Sequence, residues 1–300
     1  MKNLARAAGI ALFFAPALSA ASFNGNARGT TAGVLLRMPP SPRSAALGEV
    51  RASLSGDASA VLTNPAALTD VRRLSVSLAH SPYLEDTGFG HVTFAQKMGF
   101  LAIGGGVQYL SAGSLTRSDS GTNALGNFKP GDAAAVAGGA LKIGALSLGG
   151  AFKWVRSEVD QSATAMAVDL GLTASGGTDR KWRLGATATN LGTRLDFGGN
   201  NEFLPQRFAV GAAVKIEPNW TFLADGMLRR EGDAAGAFGA ELSWPLPGGH
   251  SFALRGGYNT ILRNPSAGVG ITIFKMTVDY ALRPFADLGM NHFVSLGFQF

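Results

Sequence analysis

The sequence predicts an all-β fold: a transmembrane β-barrel of about 14 antiparallel strands, with an N-terminal plug of short helices. Three observations predict it. From Leu74 to Phe300 the hydrophobic pattern has period two. The segments are each about 8–12 residues long, enough for a tilted strand to cross a bilayer. Their connections alternate between short and long, as in barrels with short turns at one rim and longer loops at the other. Composition agrees. Gly accounts for 41 of 300 residues, hydrophobic residues reach 46%, only 15% are charged, and mean hydropathy is +0.15. That excludes a disordered chain, and no apolar run approaches the ~18 residues of a spanning helix.

The first 20 residues read as a signal peptide. Lys2 and Arg6 precede an apolar stretch from Ala7 to Leu18, and Leu18-Ser19-Ala20 offers small residues for cleavage after Ala20 or Ala21. Residues 21–73 read as a separate plug or hatch segment, rich in Ala, Ser, Gly and Pro and without strand alternation. Met38-Pro39-Pro40-Ser41-Pro42 is a stiff extended piece. Ser44 to Leu54 is expected to form a short helix. Asp57 caps a turn over Ala58 to Leu62, and Asn64 caps another with Pro65 at its first position. Such pieces bury little by themselves and need a host surface.

Residues 74–300 are expected to supply it. His292, Val294, Leu296, Phe298 and Phe300 alternate with Phe293, Ser295, Gly297 and Gln299. Met276, Val278, Tyr280 and Leu282 alternate with Thr277, Asp279 and Ala281. Phe208 to Ile216, Met166 to Leu172 and Phe238 to Trp244 repeat the pattern. The large apolar face is assigned to lipid, the small or polar face to the lumen. Inward polar positions are then Lys153, Asp169, Arg183, Arg207, Lys215, Asp225, Glu241, Arg255, Lys275 and Asp279. They are read as a lumen cross-braced by ion pairs, since interior charges need partners or water. Long connections are expected near Ser81 to Gly88, Ala112 to Asp132, Arg156 to Ser162, Gly192 to Pro205, Arg229 to Ala235, Asn259 to Pro265 and Pro284 to Met290. Leu125, Phe128, Leu195, Phe197, Phe203 and Leu204 in two of these suit an apolar mouth.

No reaction chemistry emerges. There is no cysteine, so no thiol nucleophile and no Cys-ligated metal. The four histidines are dispersed; His80 and His91 flank one loop and are the pair that could converge. Asp119, Asn123 and Asp132 are the weak candidates for calcium. Gly104-Gly105-Gly106 lies within a strand, where it suits a kink or close packing on the plug rather than phosphate binding. No Gly-x-Ser-x-Gly elbow is present. A net charge of +6 comes from scattered Lys and Arg, with no nucleic-acid motif. The expectation is a non-enzyme with no cofactor and no metal, whose partners include outer-membrane lipid.

The stretch Gly56-Asp57-Ala58-Ser59-Ala60-Val61-Leu62-Thr63-Asn64-Pro65-Ala66-Ala67-Leu68 resembles a signature of the PorV/PorQ family, itself similar to FadL-type fatty acid transporters. Arg43 to Glu49 resembles a second block of that family. Val278-Asp279-Tyr280-Ala281-Leu282, Asp287-Leu288-Gly289 and His292 to Leu296 resemble a third. Thr63, Ala67 and Ala286 depart from the pattern. The resemblance implies a 14-stranded barrel in the outer membrane of a Gram-negative-type bacterium, with Asp57, Asn64 and Pro65 in the plug. The terminal aromatics Phe298 and Phe300 resemble the signal read by the barrel assembly machinery. PorV-like function implies binding of exported proteins in type IX secretion; the alternative is a FadL-like passive channel for a hydrophobic ligand.

Overall fold

The computed structural model describes residues 23, 27–82, 87–119, 123–159, 161–178, 181–216, 219–284 and 289–300. The expected signal peptide lies outside the described residues, as do Glu217, Pro218 and the segment 285–288 that carries Ala286, Asp287 and Leu288 of the third block.

Strands β1 (Leu74–Pro82), β2 (Gly88–Met98) and β3 (Leu101–Ser111) start the sheet. The 112–130 connection folds into a hairpin of its own, β4 (Leu115–Ser118) and β5 (Ala124–Phe128). Then come β6 (Gly131–Ile143), β7 (Leu146–Glu158), β8 (Ser162–Gly176) and β9 (Trp182–Gly192). The 193–206 connection holds a second small hairpin, β10 (Leu195–Asp196) and β11 (Asn201–Glu202). The chain returns through β12 (Arg207–Ile216), β13 (Trp220–Arg229), β14 (Gly232–Leu246), β15 (His250–Asn259), β16 (Asn264–Ile273), β17 (Met276–Pro284) and β18 (Met290–Gln299). Apart from the two loop hairpins these strands form one closed antiparallel barrel of 14 strands, each paired with its sequence neighbour. β1 closes it on β18, from Ser75 opposite Gln299 to His80 opposite Val294.

The period-two reading assigns the faces correctly. Val210 and Phe238 are 59% and 51% exposed on the outer face, while Ala209 and Ala237 are buried inside. The loop lengths are less regular than expected. Between β13 and β14 lie only Arg230 and Glu231, not a long loop from Arg229 to Ala235. The run Gly232 to Gly236 has little polarity contrast, so alternation fails to reveal the strand. The connections after β7 and β15 are likewise short, 159–161 and 260–263. Asp132 belongs to β6, not to a loop.

The lumen is filled by the segment before β1. Val34–Arg37 forms a 3-10 turn. Helix α1 (Pro42–Ala46) starts at Ser41, whose side chain accepts from the Ser44 N–H, with Pro42 in the first turn. The helix expected over Ser44 to Leu54 stops early, because Gly48 and Glu49 both take positive φ, 70° and 67°. Barrel side chains capture the end: Ser266 Oγ donates to the Ala46 carbonyl at 3.0 Å, and Asn259 Nδ2 to the Gly48 carbonyl at 2.9 Å. Asp57 and Asn64 cap 3-10 turns over Ala58–Leu62 and Pro65–Asp70.

The core lies between plug and wall. The plug supplies Leu62, Leu68 and Val71, which meet wall residues Ala95, Ala102, Ala140 and Ala151. Leu47, Val50 and Leu54 meet Ala209, Ala213 and Leu223. Where the plug comes nearest, the wall is glycine. A Cβ on Gly239 would stand 2.8 Å from Leu47 Cβ, and one on Gly104 2.9 Å from a Leu68 methyl. One on Gly149, Gly171, Gly185 or Gly257 would overlap the Ala66 nitrogen, Asn64 Oδ1, the Ala52 carbonyl oxygen or the Gly48 nitrogen. The high glycine content is thus partly an imprint of the plug.

Gly185→Ala is expected to unseat the plug and leave the barrel intact. Limited proteolysis should cut residues 27–73 faster, while heat-dependent gel migration stays as in the parent. Gly226→Ala, with nothing within 4 Å of the new methyl, should change neither.

Candidate functional site

The inner wall binds the plug through charge as well as packing. Asp225 on β13 accepts from the Arg51 and Ala52 N–H groups at 2.6 and 2.7 Å and from Ser53 Oγ at 2.8 Å. Glu241 on β14 receives both forks of Arg43 at 2.8 Å and Nε of Arg255 at 2.7 Å. Arg255 also holds Asp279 at 2.5 Å. Burial works against the Arg43 cation, but the Glu241 carboxylate holds its pKa above the ordinary arginine value. Arg183 on β9 meets Asp70 of the plug at 3.2 Å, and Lys142 approaches the same carboxylate at 3.9 Å.

Asn64 is fully buried. Its Oδ1 accepts from the Ala66 N–H at 3.2 Å, capping the turn. Its Nδ2 donates to the carbonyls of Ala52 at 2.9 Å and of Leu172, on β8, at 3.3 Å. Pro65 packs beside it, where a Cβ on Gly171 would come 3.0 Å from its Cδ. Asp57 accepts from the Ser59 N–H at 2.8 Å. These three residues join plug to plug and plug to wall.

Lys153 and Asp169 form a wall pair at 2.6 Å, both buried. The pair braces a bulge in β9, where the register against β8 shifts and Asn190 adopts φ 60°. Asp169 accepts from the Asn190 N–H at 2.7 Å, and Lys153 Nζ donates to Asn190 Oδ1 at 2.9 Å. Arg207 points inward on β12 and, among the described residues, its side chain donates only to the Met227 sulfur, at 2.9 Å. Lys215 and Lys275 stand apart from these groups. Lys215 is exposed near the turn end of β12, and Lys275 sits in the 274–275 turn, 5.0 Å from the Phe300 ring.

Other expectations fall out differently. His80 and His91 do not converge: they point to opposite faces of the sheet, His80 outward to Tyr109 Oη at 3.3 Å and His91 inward beside Phe89. Asp119 pairs with Asn123, whereas Asp132 accepts from the Leu35 N–H at 3.1 Å and from Ser157. Leu195 and Leu204 are not an open mouth. They are buried against Leu35 and Leu36 of the plug, while Leu125 is exposed and Phe203 lies between Arg194 and Arg230.

Two cavities lie between plug and wall. At the turn end, about 430 Å³ is bordered by Arg43, Asp57, Glu241, Arg255, Asp279 and Gln299. At the loop end, about 310 Å³ is bordered by residues including Arg51, Arg207, Arg229 and Ile261. The Ala46-Leu47-Gly48 elbow of the plug presses on Gly239, Gly257 and Gly268. Sequence reasoning missed the plug charges Arg43, Glu49, Arg51 and Asp70, which follow no period. It also missed Arg229 and Arg283, although each continues the inward series of its strand.

No known protein-family profile and no curated protein sequence matches the chain. Solved structures do. The toluene transporter TbuX of Ralstonia pickettii is 15% identical, with TM-score 0.60, covering 87% of this chain and 98% of its own. The toluene transporter TodX of P. putida is 12% identical, with TM-score 0.63 and the same coverage. A FadL homologue of Pseudomonas aeruginosa is 10% identical at TM-score 0.54, again over 87% and 98%. The chain shares their fold. Membership of PorV/PorQ finds no support in these comparisons. The motif residues that suggested it, Asp57, Asn64 and Pro65, cap plug turns, a local geometry that does not require that family.

Asp169→Ala should cost about 3–5 kcal/mol by leaving the Lys153 cation buried alone. Lys153→Met with Asp169→Leu should recover most of that loss. Denaturant unfolding in detergent checks both; equal destabilisation by the single and double changes would contradict the pairing.

Proposed function

We propose that the protein is an outer-membrane channel through which small hydrophobic molecules pass passively, closed in this conformation by its plug. The observation that carries the reading is a closed barrel whose lumen is occupied by one plug segment, with a cavity between plug and wall at the turn end and another at the loop end. Displacing the plug from its glycine seats would open the lumen. The apolar outer face and the closed ring of strands suit a bilayer, where open sheet edges are not tolerated. Neighbours named as toluene transporters favour this reading over the binding of exported proteins in type IX secretion. In it the chain loses its first 20 residues on export, and Phe298, on β18, and Phe300, just after it, serve the assembly machinery.

Toluene is the first substrate to try. Cells producing the protein should take up dilute labelled toluene several-fold faster than cells lacking it, with Gly185→Ala faster still. Equal uptake with and without the protein would contradict the channel.

A further inference from the structure

The loop-end cavity carries far more positive than negative charge. Six arginines border it, Arg37, Arg51, Arg207, Arg229, Arg230 and Arg283, against Glu49 and Glu231. Glu231 pairs with Arg37, and Glu49 is shared by Arg283 and, at 4.0 Å, Arg51. Arg230 lies on the Phe203 ring at 3.2 Å and donates to Gln206 at 3.0 Å. Neither Arg207 nor Arg229 has a carboxylate within ion-pair distance among the described residues.

These last two stand directly opposite each other on β12 and β13, side chains inward. Like charges in that position repel, and a desolvated guanidinium without a counter-charge is costly. Nε of Arg51, Arg207, Arg229 and Arg230 are all buried without a hydrogen-bond partner. Arg51, only 8% exposed, reaches the cavity from the plug side. Burial pushes its pKa down, and Glu49 only partly offsets this. Four arginines that border one cavity, each with a buried Nε lacking a partner, leave it rich in guanidinium charge, the complement of an oxyanion.

We infer that this cavity binds a phosphate group, gripped by Arg207 and Arg229 from the wall and Arg51 from the plug. Charge selects the class. Two wall cations lack a carboxylate at ion-pair distance among the described residues, so a dianion neutralises both, whereas a single carboxylate leaves one uncompensated. Guanidinium forks also match phosphate oxygens bidentately. The volume, about 310 Å³, admits a phosphate with a small organic substituent against Val34, Leu36 and Ile261. The site stands independently of the channel reading, because binding is measured without transport.

Calorimetry on the detergent-solubilised full chain, in low-chloride buffer, tests it with inorganic phosphate, phenyl phosphate, short-chain phosphatidic acid and octanoate as probes. At least one phosphate probe should bind, more tightly than octanoate. Arg207→Gln and Arg229→Gln, made singly and together, should each weaken it by about tenfold or more, the loss expected of one charged hydrogen bond. Binding of phosphatidic acid alone would assign the group to a lipid headgroup; binding of inorganic or phenyl phosphate would assign it to a soluble ligand. Failure of every phosphate probe, tighter binding of octanoate, or unchanged affinity in variants that keep heat-dependent gel migration would overturn the inference.

Discussion

The closure of β1 on β18 is the constraint on which the rest depends. A sheet whose edges meet leaves no row of unpaired N–H and C=O groups, the condition for a sheet to sit in hydrocarbon. Closure then determines the faces. Because strand side chains alternate, one set of residues must look outward and the other inward along all 14 barrel strands. The outer set is large and apolar: Val107, Phe152, Val210, Phe238 and Ile271 are all exposed. A soluble sheet would bury such residues.

A ring of this size encloses more space than its own side chains fill. The inner positions here are small, with Ala and Gly along β6, β12, β14 and β16, so a second element has to complete the core. The plug does so with Leu47, Val50, Leu62 and Leu68. It also answers the charges of the wall. Asp225 is satisfied by plug N–H groups, Glu241 by Arg43 and Arg183 by Asp70. A plug held by both glycine seats and ion pairs is positioned closely, yet it leaves a cavity against the wall at the turn end and another at the loop end. At the loop end the charges do not balance, which sets that cavity apart from the braced turn end.

Much of this was legible in the sequence where chemistry is local. β12, β17 and β18 alternate large apolar with small or polar residues over most of their length, so the faces follow. Asp57, Asn64 and Pro65 announce their turns because a cap acts within three residues. Legibility failed where the decisive partner is distant. Gly48, a glycine just past the end of α1, is a local stop signal; what was illegible is that Ser266 and Asn259, more than 200 residues away in sequence, anchor that end. The strand starting at Gly232 hid in a run of Ala and Gly without contrast. The inward charges Asp225 and Glu241 were readable from alternation, but their plug partners lie on irregular backbone with no period to follow. The family resemblance implied the 14-strand barrel and its likeness to FadL-type structures, while its PorV/PorQ part finds no support, since capping residues record the shape of a turn more than descent.

The absence of native cysteine allows the central claim, an apolar face in lipid around a filled lumen, to be measured directly. Single cysteines along β12, at Phe208, Ala209, Val210, Ala213 and Val214, can carry a small fluorophore in vesicles containing brominated lipid. The account predicts strong quenching at 208, 210 and 214 and little at 209 and 213. Uniform quenching along the strand, or quenching strongest at 209 and 213, would contradict it.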